Sequence, residues 1–182
     1  MYPGNLTLLL LVISFSFIPS NHSSLWGGLP SSVGTFRPFA ASANAIDHFT
    51  LKTVGFISGF KSYKIRLHEH PYETHILDFQ GYGELPPIVL VHGLSSCAAD
   101  FYPLVRSLQS ESRRVICVDL PGHGLSEIDP NTNLETVERW MVEAIREAIV
   151  KLECGRCILF GNSLGTLFSS FSYRLLSGSH PG

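Results

Sequence analysis

Residues 157–165 read CILFGNSLG. The short apolar run 157–160 is typical of a strand that is buried on both faces. It leads directly into the pattern G-x-S-x-G, and a helical stretch follows over 163–176. A turn this sharp needs small residues at both flanks, because a side chain there would clash with the neighbouring strand or helix. The stretch therefore predicts a buried strand, a tight turn and a helix.

Two further strands with the same character lie upstream. Residues 88–91 and 114–118 are short apolar runs, and helices are predicted after them over 98–108 and 134–152. Thr132 and Glu135 have the spacing of a capping box at the start of the longer helix. Strands that alternate with helices predict a parallel sheet with right-handed crossovers.

The segment before these strands has a different pattern. Residues 63–68 alternate apolar with polar, 73–79 do so less cleanly, and glycines and prolines over 81–87 indicate a turn. This pattern favours antiparallel strands at one edge of the sheet. The predicted fold class is therefore α/β, with a mostly parallel sheet and antiparallel N-terminal edge strands.

Ser163 is the candidate nucleophile. The predicted turn would hold its Oγ above the sheet, at a helix N-terminus that favours developing negative charge. Gly161, Asn162 and Gly165 would shape that turn. The residues alone leave an alternative, a Gly-rich loop in which Ser163 only caps the helix.

The segment after the first buried strand is His92-Gly93-Leu94. A serine acyl-transfer enzyme needs fixed backbone N–H groups to stabilise an oxyanion. We expect these donors to be the N–H groups of Leu94 and Leu164. His92 is expected to orient the loop rather than to act as a base.

Asp119 ends the second buried strand and opens a loop with one proline and two glycines. We expect this side chain to pin the loop by hydrogen bonds, with the role of a catalytic acid as the alternative. His123 is predicted to be an exposed loop residue.

The sequence Cys154-Gly155-Arg156-Cys157 is an isolated C-x-x-C. A structural zinc site needs two further ligands at suitable spacing, and the sequence has no second C-x-x-C. Cys157 is therefore predicted to be a core residue and Cys154 a helix-end residue. Cys97 is expected to be a small apolar residue near the oxyanion loop, and no metal site is predicted.

Composition excludes several classes of protein. The chain has 182 residues, of which 45% are hydrophobic and 15% charged, so it is long enough for one domain with a core. Its formal net charge is −2 and its basic residues are not clustered, so a nucleic-acid partner is not expected. Neither G-x-x-x-x-G-K-[ST] nor G-x-G-x-x-G occurs, and no cofactor is predicted.

The N-terminal region carries a separate signal. Residues 6–18 form an almost unbroken apolar run of 13 residues, and residues 1–36 contain no Asp, Glu, Lys or Arg. The run suits a signal-peptide core, which needs roughly 7–15 residues, better than a membrane span, which needs about 20.

Residues 1–19 are thus predicted to be a signal peptide, with an uncleaved anchor, a targeting leader or a misplaced start codon as alternatives. A signal peptide or an anchor would imply a secretory or membrane location, with membrane association through 6–18. A cytoplasmic location is expected if the run is not a signal. Residues 20–47, rich in Ser, Gly, Pro and Ala, are a predicted linker, and 48–182 are the folded domain.

Three segments together resemble one family. The segments PPIVLVHGL (86–94), VICVDLPGHGLSE (115–127) and ILFGNSLGT (158–166) stand in the order and spacing of the α/β-hydrolases of the esterase, lipase and lysophospholipase branch. The resemblance implies a serine nucleophile at Ser163, oxyanion donors at Leu94 and Leu164, and a small-molecule ester, thioester or amide substrate. Cofactor-free haloperoxidases share such a serine site, so the family leaves the reaction open.

The sequence departs from the family after Ser163. The family's triad runs Ser, acid, His, but the remaining 19 residues contain no Asp or Glu and one histidine, His180, too early for the base. We therefore expect a fragment that is truncated after the helix that follows the turn, with strand 157–160 as an exposed edge and with little turnover.

Three hypotheses remain. The first is a serine hydrolase of a carboxylic ester, with a lipid ester as the narrower form. The second is a truncated, inactive hydrolase-like protein that binds a ligand or partner. The third is an unrelated α/β domain with a Gly-rich anion-binding loop.

Overall fold

The computed structural model describes residues 9–12, 59–68, 71–109 and 113–178. Six strands and three helices occur in these ranges. The strands are β1 (Leu9–Val12), β2 (Phe60–Arg66), β3 (Glu73–Phe79), β4 (Ile88–Val91), β5 (Val115–Val118) and β6 (Ile158–Gly161), and the helices are α1 (Tyr102–Gln109), α2 (Leu134–Lys151) and α3 (Leu164–Leu176).

All six strands form one sheet in the order β1-β6-β4-β5-β3-β2. The pairs β1–β6, β6–β4 and β4–β5 are parallel, whereas β3 is antiparallel to β5 and to β2. The predicted fold class, a mostly parallel α/β sheet with antiparallel N-terminal strands at one edge, is therefore confirmed.

Helices cover both faces of the sheet, which explains why β4 and β5 are apolar throughout. Strand residues on one face pack against α2 and α3, with Ile145 and Phe168 buried in that cluster. Strand residues on the other face pack against α1 and the 3₁₀ turn before it, with Phe101 and Val105 in the cluster. Every residue of β4 and β5 is buried as a result.

Local details at two helix starts differ from the sequence prediction. The side chain of Asn133, not Thr132, caps α2, because its Oδ1 accepts a hydrogen bond from the Thr136 N–H at 2.8 Å. The segment after β4 begins with a 3₁₀ turn over Ala98–Phe101 and becomes α-helical only at Tyr102.

The expectation of an exposed edge at β6 is wrong. Residues Leu9–Val12 add a parallel strand beside β6, in a register that pairs Leu9 with Ile158 and Val12 with Gly161. These four residues belong to the apolar run for which a signal or anchor was predicted. The rest of that run, the predicted linker and residues 48–58 lie outside the described residues.

None of the helices in the described ranges combines the length and apolarity needed to cross a bilayer.

Candidate active site

The carboxyl ends of β4, β5 and β6 meet at one edge of the sheet. The three strands are parallel and adjacent, with β4 in the middle. Each is followed at once by a polar residue of the candidate site, namely His92, Asp119 and Asn162-Ser163. Open α/β sheets bind ligands outside this end of their strands.

Ser163 has a strained backbone. Its φ of 51° and ψ of −119° are unusual for a residue with a Cβ, and they place it between the end of β6 and the first turn of α3. Its side chain makes no capping hydrogen bond and is exposed. The hydroxyl of Ser163 therefore does not cap α3, which was the alternative role considered for this residue.

Two glycines create the space for this turn. A Cβ at Gly161 would lie 2.5 Å from the carbonyl oxygen of Gly165 and from the backbone nitrogen of Thr166. A Cβ at Gly165 would overlap the carbonyl oxygens of Val91 and His92. These contacts are with backbone atoms, which cannot move aside as a flexible side chain can. The steric requirement predicted for both flanks is thus present.

The loop after β4 lies directly against Ser163. A Cβ on Gly93 would lie 3.0 Å from the Cβ and 3.5 Å from the Oγ of Ser163, so the Gly93 backbone passes close to the hydroxyl. The Asn162 N–H donates to the Val91 carbonyl at 2.9 Å and ties the turn to β4. The backbone of 92–94 and the start of α3 therefore border the same small volume beside Oγ.

Two backbone N–H groups are available at this place. Leu164 is the first residue of α3, so its N–H has no intrahelical acceptor. The N–H of Leu94 donates no backbone hydrogen bond within the described ranges. The Leu94 side chain is exposed. These are the two N–H groups that the sequence analysis predicted as oxyanion donors.

His92 is fully buried, and both of its ring nitrogens are occupied. Nε2 accepts a hydrogen bond from the Leu120 N–H at 3.0 Å, so the proton is on Nδ1, which donates to the Gly93 carbonyl at 2.7 Å. Burial lowers the pKa of His92 and keeps the ring neutral. His92 therefore links the loop after β4 to the loop after β5.

Asp119 joins three segments. Its Oδ1 accepts from the Ala98 N–H at 2.6 Å, and its Oδ2 accepts from the Leu125 N–H at 3.0 Å and from Nδ1 of His75 at 2.7 Å. Burial alone would raise the pKa of Asp119, but the His75 hydrogen bond and charge, with the Ala98 and Leu125 N–H bonds, hold it below its ordinary value. Gly124 is required beside it, because a Cβ there would overlap the carboxylate.

Sequence reasoning missed three polar residues around Asp119. His75 on β3 is buried and bonds Asp119, while Ser126 donates to the Asp119 carbonyl and accepts from the His75 N–H. Ser62 on β2 bonds the far nitrogen of His75. The available signal was a histidine within a strand that buries its neighbours, since buried polar groups need partners.

The remaining residues considered in the sequence analysis are the cysteines and two histidines, His123 and His180. Cys154 and Cys157 are buried free thiols, and burial raises their pKa values to about 11 and about 12. Cys97 is partly buried at the start of the 3₁₀ turn. His123 is partly buried rather than exposed, with its ring centroid 5.1 Å from that of His92. No cluster of three His, Cys, Asp or Glu side chains suited to a metal occurs among the described residues, and His180 lies outside them.

Comparison with known proteins agrees with this architecture. A model of the alpha/beta hydrolase family matches residues 88–178, from the first residue of β4 to just beyond α3. The chain belongs to the alpha/beta hydrolase family. An alpha/beta hydrolase from Novosphingobium aromaticivorans has the same fold, with a TM-score of 0.56 and 21% identity over 67% of this chain and 40% of its own.

Two relatives are similar to this chain over part of their length. The sn-1-specific diacylglycerol lipase ABHD11 of Danio rerio is 32% identical over 88 residues, which are 48% of this chain and 26% of that protein. The (E)-2-((N-methylformamido)methylene)succinate hydrolase of Acinetobacter baylyi is 35% identical over 92 residues, 50% of this chain and 32% of that protein. The chain thus spans about a third or less of the length of these relatives, both of which are hydrolases.

Proposed function

We propose that Ser163 is the nucleophile of a serine hydrolase that acts on a carboxylic ester. The observation that carries the proposal is the backbone of Ser163, whose φ of 51° is positive although the residue has a Cβ. Such strain costs about 1–3 kcal/mol and clusters at active sites. At Ser163 the packing of Gly161 and Gly165 maintains the strain, and the hydroxyl is left exposed.

In this proposal the N–H groups of Leu94 and Leu164 stabilise the oxyanion. The Ser163 Oγ attacks the carbonyl carbon of the ester, the two N–H groups donate to the carbonyl oxygen as it becomes negative, and the alcohol leaves. Water then attacks the acyl-enzyme and releases the acid, which restores the serine. The N-terminus of α3 favours the same developing charge.

The catalytic acid and base are proposed to come from outside the described residues. The Ser163 hydroxyl has no hydrogen-bond partner in the described part of the chain, and both nitrogens of His92 are already used. This observation also favours the second candidate function, an inactive hydrolase-like protein that binds a ligand or partner. The low coverage of the relatives' lengths supports a longer active protein.

The substrate class is proposed from the names of the relatives alone. A lipid ester is the narrower proposal, supported by the name of the Danio rerio relative. The Acinetobacter baylyi relative, of similar identity, is named for a substituted succinate, so relatives in this range differ in substrate. Membrane association through residues 6–18 would suit a lipid ester and is part of the narrower proposal only. It would require residues 9–12 to leave their pairing with β6.

A cysteine substitution tests the site independently of where the proposed base lies. We would compare Ser163→Cys with Ser177→Cys, which places the thiol at the C-cap of the same helix. We expect the thiol at position 163 to have a pKa below the ordinary value of about 8.5, because helix N-termini stabilise thiolates, and the thiol at 177 not to. Mass spectrometry should find faster acylation by p-nitrophenyl acetate at 163. Equal pKa values and rates at the two positions would contradict the proposed site.

Labelling by a fluorophosphonate separates the two candidate functions. The probe reacts only with an activated serine, so a longer protein that contains residues 1–182 should carry the label on the peptide that contains Ser163, as located by mass spectrometry, and the Ser163→Ala variant should carry no label on that peptide. Absence of labelling at Ser163 in that protein would favour the inactive binding protein.

A further inference from the structure

A second serine in this chain is bonded to a histidine and a carboxylate. The Oγ of Ser62 lies 2.8 Å from Nε2 of His75, and Nδ1 of the same ring lies 2.7 Å from Oδ2 of Asp119. The three residues come from β2, from β3 and from the end of β5. Neither Ser62 nor His75 takes part in the function proposed for Ser163.

The direction of each hydrogen bond follows from the donors around Asp119. The Ala98 and Leu125 N–H groups donate to its two oxygens, so the carboxylate acts as an acceptor and Nδ1 of His75 carries the proton that it donates to Oδ2. In the neutral ring Nε2 then has a free lone pair. The Ser62 hydroxyl therefore donates to Nε2, which is the arrangement that lets a histidine remove a proton from a serine.

Burial and further hydrogen bonds hold the pair in place. His75 and Asp119 are each 2% exposed, whereas Ser62 is an exposed residue of β2. The Asp119 carboxylate is fixed by the Ala98 and Leu125 N–H groups, and the backbone of His75 is fixed by Ser126. The hydroxyl of an exposed residue is thus placed against a base that is oriented before any reagent arrives, which lowers the activation free energy of the reaction.

We propose that Ser62, His75 and Asp119 form a second site of serine acylation, which takes carboxylic esters or thioesters as acyl donors. The Ser62 Oγ forms a bond to the acyl carbon, and its proton passes to Nε2 of His75. The bond from the acyl carbon to the leaving oxygen or sulfur breaks, and the proton on Nε2 passes to that atom, which departs as an alcohol or thiol. Asp119 stabilises the transient imidazolium and keeps the ring in its tautomer.

The test uses the full 182-residue chain with Ser163→Ala, so that the outcome is independent of the function proposed above. The chain is treated with p-nitrophenyl acetate, and the rate of acetylation at each serine is measured by peptide mass spectrometry. Ser96 is the internal control, since its hydroxyl donates to the Asp100 carboxylate at 2.7 Å with no histidine between them. We expect Ser62 to react about 100-fold faster than Ser96, at the low end of general-base assistance.

Two outcomes would overturn the proposal. One is acetylation of Ser62 at the same rate as Ser96, and the other is no acetylation of Ser62 under conditions that label other nucleophiles of the chain. The ratio of the two rates decides the matter without any change to the buried residues.

A variant of the base provides an independent check. His75→Gln should lower the rate at Ser62 about 100-fold and leave the rate at Ser96 unchanged, with circular dichroism to show that the variant is folded. An unchanged rate at Ser62 in folded His75→Gln would contradict the role of the histidine. If that variant does not fold, the ratio in the Ser163→Ala chain still decides.

Discussion

Ser163 lies in strained backbone at the start of α3, whereas Ser62 lies in the regular strand β2 at the far edge of the same sheet. The hydroxyl of Ser163 is exposed and has no partner in the described part of the chain, while that of Ser62 is bonded to His75. One serine has the backbone features of a nucleophile, and the other has the side-chain features.

This difference shows that the two sets of features have separate origins in the chain. The position of Ser163 depends on glycines two residues away on either side, so a short motif specifies it. The bonds of Ser62 depend on a partner 13 residues away, which in turn bonds a residue 44 positions further on. Only the complete sheet brings those side chains together.

The largest effect is expected at Gly165, whose close packing holds the backbone turn at Ser163. Gly165→Ala places a Cβ against the carbonyl oxygens of Val91 and His92, and we expect a loss of more than about 4 kcal/mol in the free energy of unfolding. Urea unfolding followed by circular dichroism measures it. Gly178→Ala is the control, because Gly178 follows the end of the same helix and its Cβ would meet open space, so only the cost of its positive φ, about 1–2 kcal/mol, is expected. Similar losses in both variants would show that close packing does not hold the turn.

A smaller effect is expected at Asp119, which connects the two regions. In Asp119→Asn an NH₂ group replaces one of the two carboxylate oxygens. It then faces either Nδ1–H of His75 or the N–H of Ala98, and two donors cannot bond each other. We expect a loss of about 3 kcal/mol in the free energy of unfolding, as for other broken buried pairs. Asp100→Asn removes the charge of an exposed carboxylate that also caps a turn, and should cost less than about 1 kcal/mol. Equal costs would mean that the buried network adds no stability.

The sequence predicts much of one region and little of the other. The apolar runs and glycine spacing are sufficient for the fold class and for the turn at Ser163, because both depend on local pattern. The bonds among Ser62, His75 and Asp119 are not predictable in this way, since no spacing in the sequence encodes contact between β2, β3 and β5. The cap at Asn133 rather than Thr132 and the pairing of residues 9–12 with β6 were missed because they depend on local geometry and on tertiary contact.

The pH dependence of stability tests whether His92 is a structural histidine. Burial lowers its pKa in the folded protein, so below the unfolded value of about 6.5 the unfolded chain takes up the proton first and the free energy of unfolding falls. Asp119, whose folded pKa is depressed, loses its contribution only as the pH falls below about 4. Between pH 7 and pH 5 the slope should therefore be smaller in His92→Asn than in the unchanged protein.

The control for this measurement is Ser177→Asn, at the exposed C-cap of α3, which changes no titratable group. It should leave the slope between pH 7 and pH 5 unchanged. If His92→Asn also leaves it unchanged, His92 is protonated as easily in the folded as in the unfolded protein, and it would then be a candidate base for Ser163 after all.

The smallest difference is expected in the steady-state turnover of the unchanged protein and of Ser163→Ala, because a strained backbone and oxyanion donors do not replace a general base. A serine hydroxyl with no general base is a weak nucleophile even beside oxyanion donors, and the described residues supply none to Ser163. Steady-state hydrolysis of p-nitrophenyl acetate by the 182-residue chain should therefore be the same for the unchanged protein and for Ser163→Ala. Acetylation of Ser62 would appear in both as a burst of at most one equivalent and would cancel in the comparison. A steady rate that falls on Ser163→Ala would mean that a base reaches Ser163 from within this chain, and His180 would be the first residue to change.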